Sequence, residues 1–220
     1  MAKHKLQRFA EIETFSNVVQ PRMSYPATDH SLKGNWKKDF FKNENAIVLE
    51  LGCGRGEYTL YLAEKYPGIN FIGIDIKGSR LWRGAKTAME KGFANAGFLR
   101  IQIDHLANFF SGGEVASIWL TFPDPQPQKT RVRKRLTAPR FLKTYGSILK
   151  SGGLIRLKTD SHGLYSYSKE VIHENNYHVH AAIEDIYNQP EIAEDLRVKT
   201  TYENMFLEEG CKIYYLEFSV

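Results

Sequence analysis

Short apolar runs alternate along this chain with longer stretches of helical period, and few folds accommodate that pattern. The runs fall at Ala46–Leu51, Ile69–Ile74, Gly97–Ile103, Val115–Leu120, Leu154–Thr159, Tyr177–Ile186 and Lys212–Ser219. Helical stretches begin between them near Glu57, Gly78, Ala138 and His162. A strand buried on both faces reads as a continuous apolar run, and a helix between two such strands supplies a parallel crossover. The pattern predicts an α/β chain whose seven-stranded, mostly parallel sheet is doubly wound, with helices on both faces. The last two strands are separated by a segment ending in a helix over Thr200–Glu208, which Gly210 stops.

Residues 1–30 carry Pro21 and Pro26 and show no clear period, so they are expected to form an arm crossing the surface. Residues 31–220 are expected to form a single domain. Apolar residues make up 42% of the chain and charged residues 25%, which suits a packed core and argues against disorder. No run of 18 apolar residues marks a membrane span, and the first residues lack the apolar stretch of a signal peptide. A cytoplasmic protein is expected, as a monomer or a homodimer. The two cysteines, Cys53 and Cys211, have no metal-ligand spacing, and no metal is expected. Cys53 reads as a small residue filling a tight turn rather than as a nucleophile.

The first apolar run ends in Glu50-Leu-Gly52-Cys-Gly54-Arg-Gly56 and a helix follows. Glycines there permit a tight turn with positive φ and let the backbone approach a ligand. The next run ends in Asp75, where a carboxylate can accept both hydroxyls of a ribose. A dinucleotide needs G-x-G-x-x-G for its pyrophosphate. Here the spacing is G-x-G-x-G, and the carboxylate of Glu50 would repel a pyrophosphate. It suits a cationic nucleoside instead, with the ammonium and sulfonium of S-adenosylmethionine as the fitting groups. Asp104, past the third run, is placed to accept from an adenine amino group.

The fourth run leads into Thr121-Phe122-Pro123-Asp124-Pro125, an aspartate locked between two prolines. Residues 121–137 hold three prolines, which exclude a regular helix or a central strand. This is a stiffened loop at the carboxyl end of a strand, where open α/β sheets bind ligands. Seven basic residues then follow with no intervening acid: Lys129, Arg131, Arg133, Lys134, Arg135, Arg140 and Lys143. A charge run is usually a solvated face. Beside a pocket it reads as a phosphate clamp for a polyanion, and most of the net charge of +5 is assignable to it.

With these blocks in order, the sequence resembles the bacterial tRNA (guanine-N7)-methyltransferase family, whose members modify guanine 46 in the tRNA variable loop. The resemblance runs from about Val48 to the C-terminus. It rests on Glu50–Gly56, Gly73–Ile76, Phe122–Pro125 with Lys134-Arg135-Leu136, Lys158-Thr159-Asp160, and Thr200, Tyr202, Glu203 and Phe206. It implies a class I methyltransferase sheet with an antiparallel C-terminal strand. It implies that Glu50, Gly52, Gly54, Gly56, Asp75, Asp104 and Asp124 contact the methyl donor. It also implies that Asp160 and the stretch Thr200, Thr201, Tyr202 and Glu203 face the tRNA; the charge run itself puts Lys129, Arg131, Arg133 and Arg135, with the neighbouring Gln128, among the expected substrate contacts. Three positions depart from the family pattern. Gln126 stands where tryptophan is usual, Gln128 where lysine is usual, and Asp75 where glutamate is commoner. The first removes a stacking surface, the second a phosphate contact, and the third shortens a carboxylate's reach.

Guanine N7 has a free lone pair at neutral pH, so attack on a methyl carbon needs no general base. Positive charge then moves toward the purine, and a fixed carboxylate nearer the purine than the sulfur stabilises that transition state. Asp124 is the expected catalytic group. Rival readings are a nicotinamide-dependent oxidoreductase, which the glycine spacing disfavours, and a non-catalytic RNA-binding module, which has no use for the four acids. A small-molecule methyltransferase has no use for the basic run.

Overall fold

Eight strands rather than seven form the sheet of this protein, seen in a computed structural model that describes residues 2–21 and 28–220. The strands are β1 (Val18–Val19), β2 (Ala46–Leu51), β3 (Ile69–Ile74), β4 (Ala96–Leu99), β5 (Val115–Thr121), β6 (Leu149–Thr159), β7 (His178–Ile183) and β8 (Tyr214–Ser219). Their spatial order is β1-β4-β3-β2-β5-β6-β8-β7. The pairings from β1 through β6 are parallel, while β8 runs antiparallel between β6 and β7. The helices are α1 (Ala2–Ile12), α2 (Glu57–Lys65), α3 (Gly78–Glu90), α4 (Pro139–Ile148), α5 (His162–Glu174) and α6 (Thr201–Glu208).

The additional strand comes from the expected arm. Val18 and Val19 extend the sheet beside Phe98 and Leu99 of β4. Before it, α1 packs on α3, with Glu11 accepting from Trp82 Nε1 at 2.9 Å and Lys86 Nζ at 2.8 Å. Pro26 of the expected arm lies outside the described residues. The third strand is shorter than the expected Gly97–Ile103. Beyond Leu99 the chain leaves the sheet, and Ile103–Asn108 forms a short 3₁₀ turn.

Side chains of one strand alternate between two cores, as a sheet covered on both faces requires. On β2, Ile47, Leu49 and Leu51 join α4, α5 and Trp36 in one core. Val48 faces Tyr58 and Leu62 of α2 and Leu81 of α3 in the other. Trp36 is fully buried and donates its indole N–H to Phe109 O at 2.8 Å. Local chemistry sets the helix ends: Pro139 opens α4, and the Ser161 hydroxyl caps α5 by accepting from Leu164 N at 3.2 Å.

The order of strands defines where a ligand fits. From β2 the chain winds outward through β3 to β4, and from β5 it winds the other way to β6. The crevice outside the carboxyl ends of β2 and β5 is therefore the topological switch point.

Candidate active site

The glycine loop leaves β2 at this switch point. Gly52, Gly54 and Gly56 all have positive φ, at 76°, 56° and 70°. A Cβ added at Gly52 or Gly54 would meet nothing within 4 Å, so the backbone there faces open space. Gly56 differs, since a Cβ would fall 2.6 Å from the Phe98 ring. Here the absence of a side chain also makes room for the Phe98 ring inside the fold. Asp75, just past β3, closes the cradle. Its Oδ2 accepts from Gly54 N at 3.0 Å and its Oδ1 from Lys77 N at 2.7 Å. Each carboxylate oxygen retains a further lone pair, enough for two ribose hydroxyls.

Glu50 lies beneath this cradle rather than lining it. It is 4% exposed. Its Oε2 accepts from Thr59 N at 2.8 Å and Thr59 Oγ1 at 2.5 Å, and its Oε1 from Thr121 Oγ1 at 2.5 Å. The carboxylate thus ties β2 to the start of α2 and the end of β5. Burial raises its pKa to about 7, against the opposing pull of these hydrogen bonds. Cys53 is buried beside it. Burial first, then the nearby Glu50 and Asp75 charges, push the thiol well above its ordinary value, which leaves it unreactive.

Asp104 sits in the 3₁₀ turn after β4, beyond the strand's end at Leu99. Its carboxylate contacts the Arg140 guanidinium at the start of α4. Arg140 also donates to Arg133 O at 2.7 Å. Arg140 therefore joins Asp104 to the basic loop, a link the sequence did not reveal.

Asp124 is exposed at the end of β5, between buried Pro123 and half-buried Pro125. Its Oδ1 accepts from Gln126 N at 3.0 Å. Phe122 and Gln126 on either side have φ of 47° and 43°, a left-handed conformation that is costly for side-chain-bearing residues. What holds the loop in that shape is Arg135. Its Nε donates to Pro125 O at 3.0 Å, its second amino group to Gln126 O at 3.3 Å, and the guanidinium lies 4.4 Å from the centre of the Tyr167 ring. Arg135 was expected among the phosphate contacts. Its hydrogen bonds instead go to the loop that carries Asp124.

Gln128, Lys129, Arg131, Arg133 and Lys134 are exposed on and beside a 3₁₀ turn, Lys129–Lys134. Of these, Lys129 and Arg133 line a cavity of about 470 Å³ together with Pro139, Arg140 and Tyr167. Asp160, half-buried past β6, has a pKa raised mainly by burial.

The stretch expected to face RNA divides. Thr201 and Tyr202 are exposed, and Thr201 donates to Glu57 from its N at 2.9 Å and its Oγ1 at 2.5 Å. Thr200 is buried, and its hydroxyl caps α6 by accepting from Glu203 N at 3.2 Å. Glu203 is fully buried in an ion pair with Lys158 at 2.8 Å. Its side chain points into the protein, which corrects the expectation that it meets the tRNA. Its partner Lys158 belongs to the Lys158-Thr159-Asp160 block, but no sequence pattern joins two residues 45 positions apart.

Comparison with known proteins gives the family. Residues 44–216 match a family model described as putative methyltransferase. The chain is 48% identical to a tRNA (guanine-N(7)-)-methyltransferase of Christiangramia forsetii, covering 100% of this chain and 99% of that one. It is 45% identical to the protein of that name from Bacteroides fragilis, over 99% and 86% of the two chains. Among solved structures, a 16S rRNA methyltransferase has a TM-score of 0.61 at 14% identity, over 80% of this chain and 88% of its own. A 30S ribosomal methyltransferase from an uncultured bacterium has a TM-score of 0.59 at 17% identity, over 87% and 97%. These two likenesses bear on the fold alone. The family follows from the sequence relatives: the chain belongs to the tRNA (guanine-N(7)-)-methyltransferases.

Proposed function

We propose that this protein transfers a methyl group from S-adenosylmethionine to N7 of guanine 46 in the variable loop of tRNA. The observation that carries the reading is the placement of Asp124. It stands exposed at the switch point, between an acid-backed glycine cradle and a basic rim, on a loop that Arg135 ties down.

S-adenosylmethionine supplies an electrophilic methyl group on a cationic sulfur. The open backbone at Gly52 and Gly54 gives its nucleoside room to approach. Asp75 receives the ribose hydroxyls, and Asp104 receives the adenine amino group once Arg140 yields. Glu50 adds negative potential from below the cradle without touching the ligand. The guanine N7 needs no proton removed, so no residue acts as a base. Asp124 accepts from the base's N1–H and amino group and stabilises the positive charge that develops on the purine. Lys129, Arg131 and Arg133 hold phosphates. A guanine reaching this loop must leave the tRNA core, which favours a splayed-out base. The protein acts in the cytoplasm, alongside its substrate.

The test incubates the protein with unmodified tRNA transcript and methyl-labelled donor, and then identifies the labelled nucleoside after digestion. The expected product is N7-methylguanosine, lost when guanine 46 is replaced by adenine. Label on another base, or at another guanine atom, overturns the proposal.

A further inference from the structure

The buried Lys158–Glu203 pair plays no part in the chemistry above, yet it is bound on every side. The Lys158 ammonium has three protons and three acceptors: Leu196 O at 2.8 Å, Val198 O at 3.0 Å and the Glu203 carboxylate at 2.8 Å. Glu203 accepts in addition from the Tyr187 hydroxyl at 2.8 Å. Both side chains are 0% exposed. Such a pair contributes little to stability, because desolvating two charges offsets their attraction. Its directional bonds do fix how the parts it joins sit against each other.

Those parts converge on one residue, Phe122. Lys158 lies on β6 in register with Thr121 of β5, and its carbonyl accepts from Phe122 N at 2.8 Å. Its ammonium is 5.9 Å from the centre of the Phe122 ring. Glu203 lies on α6, and Phe206, three residues on, shares its face of the helix. The rings of Phe206 and Phe122 are 5.8 Å apart. Phe122 is thus held by its backbone on β6 and by its ring on α6, with the ion pair clamping those two elements together. It is also one of the two left-handed residues that shape the loop, and Asp124 stands two positions on behind a proline.

We infer that the Lys158–Glu203 pair is a positioning device that sets the Phe122–Pro125 loop, so that Glu203 serves the reaction from inside the protein without touching RNA. The inference rests on the role given to Asp124 under the proposed function. Substituting Glu203 relaxes α6 against β6, lets Phe122 shift, and moves the Asp124 carboxylate off its target. It leaves the basic rim unaltered.

The test uses Glu203→Gln, which keeps the side-chain shape and removes the charge. Tyr187→Phe, which removes one hydrogen bond and keeps the ion pair, is the milder variant should the first not fold. Each is assayed at a temperature where its thermal melt shows a fully folded protein. Single-turnover methylation at saturating tRNA and donor is expected to fall about 10- to 100-fold in Glu203→Gln, as displacement of a reacting group by about 1 Å does. The fall is smaller in Tyr187→Phe. The tRNA Kd and its salt slope stay at wild-type values in both. A wild-type rate at saturation in the folded variants overturns the inference. So does weakened tRNA binding with an intact rate, which would place Glu203 on the RNA. A wild-type protein that does not methylate tRNA removes the proposed function and the inference with it.

Discussion

Glu50→Gln should make this protein more stable and a poorer binder of its donor, with both effects depending on pH. The Glu50 carboxyl has an ordinary pKa of 4.5, which burial raises to about 7 in the folded protein. The folded state therefore holds the proton more tightly than the unfolded state. Its contribution to stability is fully present below pH 4.5 and is lost as pH rises through 7. A shift from 4.5 to about 7 at about 1.4 kcal/mol per unit costs the ionised folded protein about 3 kcal/mol at pH 8. Glutamine carries no such cost, and its partners are in place. Its carbonyl accepts from Thr59, and its amide donates to the Thr121 hydroxyl, which rotates to receive it. Urea unfolding should show the variant more stable by up to about 3 kcal/mol at pH 8 and level with wild type near pH 4.5. Calorimetric titration with S-adenosylhomocysteine, whose ammonium keeps a positive charge, should show weaker binding. One lost charge contact at about 5 Å, with an effective dielectric constant of about 20, is worth up to about 3 kcal/mol. Wild-type affinity should rise between pH 6 and pH 8, because a bound cation favours the ionised carboxyl. Equal stability of the two proteins at pH 8, with equal affinity, would refute the reasoning.

Asp124→Ala should lose about 2–4 kcal/mol of transition-state stabilisation, read as a fall in the single-turnover rate at saturating donor. Arg135→Ala should lower the same rate and leave the tRNA salt slope nearly unaltered, because its guanidinium ties the loop at Pro125 and Gln126. A slope reduced by a full phosphate contact would mark Arg135 as an RNA ligand instead. Neutralising Arg131 and Arg133 together should weaken tRNA binding and reduce the slope of log K against log salt by about 1.4–1.8, for two phosphate contacts. A slope equal to wild type would make both of them solvated surface. Arg140→Ala should free Asp104 and tighten S-adenosylhomocysteine binding, measured by titration, whereas weaker binding would show that the ion pair organises the adenine side.

Much of the sheet was legible because its central strands are buried on both faces and almost wholly apolar, with Glu50 and Asn70 as the polar residues within β2 and β3. Ala46–Leu51 and Ile69–Ile74 coincide with β2 and β3 for that reason. The same cue overran at Gly97–Ile103. Ile101 is apolar because it is buried, at 1% exposed, although its backbone has already left the sheet. Val18 and Val19 were missed because two residues show no period, and only the neighbouring edge of β4 makes them a strand. At the site, residue types marked Asp75 and Asp124, which stand just past β3 and β5, and Asp104, which the structure carries beyond the end of β4 into a 3₁₀ turn. What the charge count could not show is where each charge is spent. Arg135, Arg140 and Glu203 lie among residues that read as an RNA face. Their partners are backbone carbonyls 9 and 10 positions away, an aspartate 36 away and a lysine 45 away. Pairing at such separations is decided by the fold, and no local pattern announces it.

The central claim is that a nucleoside-binding cradle and the Asp124 loop share one crevice. A crystal structure with S-adenosylhomocysteine bound tests it most directly. The account predicts the nucleoside over Gly52 and Gly54, the ribose hydroxyls on Asp75, and the sulfur pointing toward Asp124. Density for the ligand anywhere else, or a sulfur turned away from the Phe122–Pro125 loop, would contradict it.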